Sequence, residues 1–141
     1  MEQQPIARSW NYDLAAEFGH RNITGDVESL VADSGIGTGV AVVQMVGSTG
    51  GVTTIEYENG ALADLERALE SIAPVTGHYA HNARWGDGNG FSHLRSALVK
   101  TSISIPVLDG TLALGTWQQI VAMNFDNRRR SRSVVAVVMG A

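Results

Sequence analysis

Three of the four histidines, His78, His81 and His93, fall in one glycine-rich stretch at residues 77–93 (GHYAHNARWGDGNGFSH), beside Asn82, Arg84, Asp87 and Asn89. Imidazole is the commonest metal ligand and titrates near neutrality. His81 and His93 are therefore the leading candidates for metal ligation or for acid–base work. Zinc takes at least three protein ligands in most sites, so two imidazoles need a carboxylate, for which Asp87 and Glu56 are candidates. The competing reading of each histidine is a side chain that caps a turn and is merely hydrogen-bonded; His78 and His20 are assigned to it.

A second group suits anions. Residues 47–51 (GSTGG) lie between two strand patterns, and glycines with the Ser48 and Thr49 hydroxyls can approach a phosphate closely. No Gly-Lys-Ser/Thr follows, so this is not a Walker loop, and a tight turn is the simpler alternative. Arg130 and Arg132 are two apart in a strand pattern and share a face, which suits a phosphate or a carboxylate as well as a solvated face. Asp87 and Asn89 stand just ahead of a helical pattern, where free N–H groups attract anions. Trp117 and Gln118 follow Gly115, an arrangement that suggests a bulge aiming a side chain.

The elements that must hold these groups follow from periodicity. Residues 9–18 alternate, with Trp10, Tyr12, Leu14, Ala16 and Phe18 on one face, which predicts a half-buried strand; 20–22 read as a connection. Thr24 or Asp26 caps a short helix bearing Val27, Leu30 and Val31. The apolar run 39–46 predicts a central strand and 52–58 another. Asn59 is expected to cap a helix carrying Leu62, Leu65, Leu69 and Ile72, and Pro74 to close it. A helix over 90–99 is expected to turn Leu94, Ala97 and Leu98 inward. Asp109-Gly110 signals a hairpin between strands, and 130–139 forms the last strand. The class is α+β: largely antiparallel sheets with about three helices, and residues 1–141 as one domain.

Composition bounds the chemistry. The 141 residues carry no cysteine, which excludes thiolate catalysis and disulfides. Net charge is −4, so the short basic cluster at 128–132 does not amount to a nucleic-acid surface. No apolar run reaches the roughly 20 residues of a membrane span. The opening MEQQPIARSW lacks a signal-peptide pattern, so a cytoplasmic location is the expectation.

Tyr79-Ala80-His81-Asn82, Asp87-Gly88-Asn89 with Ser92-His93-Leu94, Ile105-Pro106-Val107 with Asp109-Gly110, Leu114-Gly115-Thr116-Trp117-Gln118, and Asp126 with Arg130-x-Arg132 occur in this order. Together they resemble the YjbQ-like family, also called the secondary thiamine-phosphate synthase family, over nearly the whole chain. The resemblance implies a homotrimer with a histidine site near a subunit boundary. It also implies a weak transferase activity that joins the pyrimidine and thiazole halves of thiamine phosphate with loss of pyrophosphate. The positions it carries over are Glu56, His81, Asn89, His93, Trp117, Gln118, Arg130 and Arg132. Many members have His-Thr-Thr where this chain has Gly47-Ser48-Thr49, which removes a third imidazole. A glycine is commoner at the Lys100-Thr101 position. Two readings stay open: an enzyme using His81, His93 and Glu56 with a divalent metal, zinc or magnesium, held by His81, His93 and Asp87; or a non-catalytic trimer that binds phosphate or metal, or serves as an assembly scaffold. Both take a small phosphorylated ligand and no nucleic acid or membrane.

Overall fold

The computed structural model describes residues 3–141. It is a single α+β domain in which every strand pair is antiparallel. A five-stranded sheet has the order β1-β8-β3-β5-β6 and a three-stranded sheet the order β2-β7-β4. The strands are β1 (Ile6–Leu14), β2 (Gly19–Asn22), β3 (Gly39–Val46), β4 (Gly50–Glu56), β5 (Ser102–Leu108), β6 (Thr111–Leu112), β7 (Gln118–Asn124) and β8 (Arg130–Gly140). Four helices join them: α1 (Thr24–Ser34), α2 (Asn59–Ile72), α3 (Ala80–Trp85) and α4 (Gly90–Val99). None is long and apolar enough to cross a membrane.

The small sheet separates two apolar clusters. Ile120 and Ala122 of β7 face the large sheet and pack with Ala41, Val43, Met45, Val134 and Val138. Val121 and Met123 alternate to the other face, with Leu69 of α2 and Phe125. Period-two alternation along one strand thus serves both layers. β3 lies at the centre of its sheet, as its apolar run predicts, yet only one of its faces is covered. Ala41, Val43 and Met45 are buried, while Val42 and Val46 are 37% and 51% exposed.

Several expectations are corrected. β1 ends at Leu14 and residues 15–18 turn, so Ala16 and Phe18 leave the strand; 20–22 pair with β7 as β2. Helix α1 has no side-chain cap, because Thr24 Oγ1 accepts from Ile120 N–H and Asp26 accepts from the Tyr12 hydroxyl. Glu58, not Asn59, caps α2 by accepting from Gly60 and Ala61 N–H. α3 is an additional helix inside the histidine stretch. The inward face of α4 is Phe91, Ser92, Arg95 and Ser96, with Leu94 and Leu98 exposed. Arg95 is buried because its guanidinium donates to Ala73 O at 3.0 Å and to Glu70 at 2.6 Å. The hairpin is as expected: Asp109 and Gly110 have φ of 51° and 75°, the pair of positive values that a type I′ turn requires.

Candidate metal and anion site

His81 lies on α3 and His93 on the first turns of α4. Asn82 holds the two helices together, its side-chain oxygen accepting from Gly90 N–H at 2.9 Å. Tyr79 anchors the near end through its hydroxyl, which donates to Pro74 O at 2.6 Å. The imidazole centroids are 4.4 Å apart. Asp87, in the link between the helices, brings Oδ1 to 3.3 Å from His81 Nδ1. That oxygen also accepts from Asn89 N–H at 3.1 Å, which fixes the carboxylate. His81, Asp87 and His93 each offer a ligand atom, and the three atoms lie within 4.8 Å of one another. His81 Nδ1 is shielded from solvent and makes no hydrogen bond, although the Asp87 carboxylate lies 3.3 Å away. A buried imidazole nitrogen without a partner is costly unless something else fills the position.

Asn89 is 7% exposed and its side-chain oxygen is taken, by the Ser92 hydroxyl at 2.6 Å and by Asn127 N–H at 3.0 Å. It therefore ties the start of α4 to the β7–β8 turn. Asn82 likewise occupies Gly90 N–H, so the helix start is not an open anion cradle.

Beneath the histidines lies a buried polar network. Asp126 is 1% exposed; it accepts from Thr49 Oγ1 at 3.0 Å, from Arg128 N–H at 3.0 Å and from Arg130 at 3.2 Å. Arg132 donates through Nε to Asn124 Oδ1 at 3.0 Å and through a terminal nitrogen to Asn124 and to Thr49 Oγ1. Burial alone would push the Asp126 carboxyl up, but hydrogen bonds from Asn89, Thr49, Arg128 N–H and Arg130 outweigh it and hold Asp126 below its ordinary 3.8. Burial draws the Arg132 guanidinium down, against the pull of Asp126. Because folding lowers the Asp126 value, its contribution to stability is present above the unfolded value and is lost as pH falls through the folded one. Urea midpoints should therefore drop below about pH 4, and Asp126→Asn should flatten part of that drop. Identical acid profiles for the two proteins would refute this assignment.

Ser48 and His93 line one cavity of about 420 Å³, with Gly47, Lys100 and Thr101. Gly47 has φ +136°, and a Cβ there would come within 3.0 Å of an Arg132 terminal nitrogen. The chain's missing third imidazole thus coincides with a backbone position that favours glycine.

The remaining predicted residues lie elsewhere. Glu56 pairs with Gln118 at the far end of the β4–β7 ladder, whereas Gly50 pairs with Asn124 at the network end. Six residues of strand separate those ends, roughly 20 Å. Trp117 is 73% exposed and does not join the core. Gln118 donates to Thr54 Oγ1 and accepts from Gly115 N–H, both at 3.0 Å. Within one chain, then, His81, Asp87, His93, Ser48, Thr49, Arg130 and Arg132 are brought together, and Glu56, Trp117 and Gln118 form a separate patch. Sequence reasoning overlooked Asp126, Asn124 and Asn127 as site-building residues. Their signal was the Asn124–Arg132 segment, where two amides and a carboxylate run directly into four arginines at the end of a strand.

Residues 10–141 match the profile of the family described as UPF0047 protein YjbQ-like. A UPF0047 protein from Methanothermobacter thermautotrophicus is 39% identical over 116 residues, 82% of this chain and 80% of that protein. One from Archaeoglobus fulgidus is 34% identical over 114 residues, 81% and 86% of the two chains. The fold is similar to the crystal structure of a YbjQ-like protein of unknown function from Sulfolobus solfataricus P2, with a TM-score of 0.92, 26% identity, and 98% and 99% of the chains covered. It is also similar to a hypothetical protein from Aeropyrum pernix K1, with a TM-score of 0.88, 28% identity, and 96% and 99% covered. With a profile match spanning β1 to the end of β8, the chain belongs to the UPF0047 (YjbQ-like) family.

Proposed function

We propose that His81, Asp87 and His93 hold a divalent metal ion and that a small phosphorylated ligand binds beside it, in the cavity between the Gly47–Ser48 loop and α4. The observation that carries this reading is the buried, unpartnered Nδ1 of His81, within reach of a carboxylate and a second imidazole. Two nitrogens and one oxygen suit zinc better than magnesium, which prefers oxygen ligands and retains its waters. When bound, such an ion acts as a Lewis acid on a phosphate oxygen. The chain's own residues do the rest: the Ser48 hydroxyl donates, and Arg132 and Arg130 supply positive charge where a pyrophosphate would leave.

The reaction class that fits is substitution at an activated carbon with loss of pyrophosphate, the weak thiamine-phosphate-forming transfer that the family resemblance implies. Glu56 is too far from the histidines of its own chain to orient them. We further propose a homotrimer, in which Glu56, Trp117 and Gln118 of a second copy complete the site. The uncovered apolar face of β3 and β8, with Val42, Val46 and Met139 exposed, supports association. A second reading, a metal- and phosphate-binding trimer without catalysis, is favoured by Gly47, which supplies no imidazole.

Protein purified without chelator should contain zinc. Zinc at about 100 times its dissociation constant should stabilise it by about 2.7 kcal/mol, with pyrophosphate adding a further shift. Incubation with the two thiamine-phosphate precursors, followed by mass spectrometry, separates the readings. Product supports the transferase; metal and pyrophosphate shifts without product support the binding protein. No response to zinc removes the metal centre.

A further inference from the structure

Lys100 closes α4 with φ 83° and ψ 159°, a backbone region that is essentially reserved for glycine. The conformation is imposed from three sides. Its N–H donates to Ser96 O at 2.9 Å, its carbonyl accepts from Val52 N–H of β4 at 3.1 Å, and the next carbonyl, of Thr101, accepts from Met45 N–H of β3 at 2.7 Å. A glycine would meet all three demands without strain. The lysine side chain gives nothing structural in return: it is exposed and forms no ion pair with any described residue.

Its position is informative. Lys100 lines the same cavity as His93 and Ser48, and no carboxylate belongs to that lining. A second cation lies close by, a terminal nitrogen of Arg132 being 3.0 Å from where a Cβ on Gly47 would stand. A cavity lined by a lysine, a histidine, serines and a threonine, with a guanidinium nitrogen near Gly47 of that lining and no carboxylate in it, has the chemistry of a dianion site.

We propose that Lys100 is an anion-binding residue of this cavity, whose ammonium takes the terminal phosphate of the ligand. The proposal rests on the phosphorylated-ligand reading above and assigns it a residue. The backbone strain is retained because the rim needs a long cationic side chain at a position that the fold would otherwise give to glycine.

The test uses the zinc-loaded full chain, with inorganic pyrophosphate as the probe in calorimetry. Lys100→Met keeps the strained backbone and removes the charge; it should bind pyrophosphate about tenfold more weakly, the ratio for one charge-assisted hydrogen bond. Lys100→Arg should retain most of the affinity. Lys100→Gly should lose the same affinity yet melt at or above the wild-type temperature, because relief of strain offsets the added freedom of its unfolded chain. Zinc affinity should be unchanged throughout, since Lys100 is no ligand. Wild-type binding that Lys100→Met leaves intact overturns the role of Lys100 alone. A wild-type protein that does not bind pyrophosphate overturns both this inference and the reading beneath it. Lys100→Gly melting well below wild type overturns the strain argument.

Discussion

His81→Ala and His93→Ala should each abolish zinc retention, with affinity falling by more than about 100-fold. Losing even a residue that merely supports a ligand typically costs about 10–100-fold. Here one of only three protein donors is removed, and two cannot hold zinc in a closed site. The measurement is competition with a chromogenic chelator, alongside the zinc-induced thermal shift. The metal-free proteins distinguish ligation from ordinary packing. His81 Nδ1 has no hydrogen-bond partner, so truncation removes an unsatisfied buried atom and should leave the apo-protein at least as stable. A histidine that merely caps or braces the α3–α4 junction would behave in the opposite way, with a lower apo melting temperature and no effect on metal. If the pyrophosphate-releasing transfer is present, both variants should lose it. Wild-type zinc affinity in either variant would rule out the centre.

How much of this could be read before folding depends on the range of the interactions involved. His81, Asp87 and His93 are close in sequence, so a loop suffices to bring them together, and their residue types announce the chemistry. The strand patterns of β3 and β8 are equally local, because period-two burial is written along each strand. Arg95 defeated the pattern for α4. A charged residue reads as outward-facing, yet this one is satisfied by Glu70 and a carbonyl of α2's end, contacts that no periodicity reveals. Turning Arg95 inward rotates Leu94 and Leu98 into solvent. Glu56 and Gln118 were expected to join the histidines; strand register instead pairs them with each other at the far end of the β4–β7 ladder, since position along a ladder is a tertiary quantity. The Gly47 departure was visible as a residue type. Its backbone reason, the positive φ over Arg132, was not.

The buried network should give the largest loss of stability. Arg132→Met is expected to cost about 3 kcal/mol or more, because the buried Asn124 and Thr49 oxygens each lose a hydrogen bond from a charged donor worth about 1.5–3 kcal/mol. Methionine replaces the aliphatic stem but ends two atoms short of the terminal guanidinium nitrogens, so the effect reports mainly the lost polar contacts. Arg132 supports Asn124 and Thr49 directly, and Thr49 in turn donates to Asp126. Without the guanidinium, Asn124 keeps only the Asp126 N–H as a donor to its oxygen, and the Asp126 charge faces Arg130 alone. Lysine should not rescue, because a single ammonium cannot reproduce the planar fork that reaches Asn124 and Thr49 together. Urea unfolding at neutral pH is the measurement, with the midpoint falling and the slope unchanged if the native fold persists. A double-mutant cycle with Asp126→Asn should show coupling well above 0.5 kcal/mol, the scatter for independent sites. A midpoint shift worth less than about 1 kcal/mol would mean that the network is solvated in solution. The proposed anion cavity would then lack the fixed positive charge close by on which its chemistry depends.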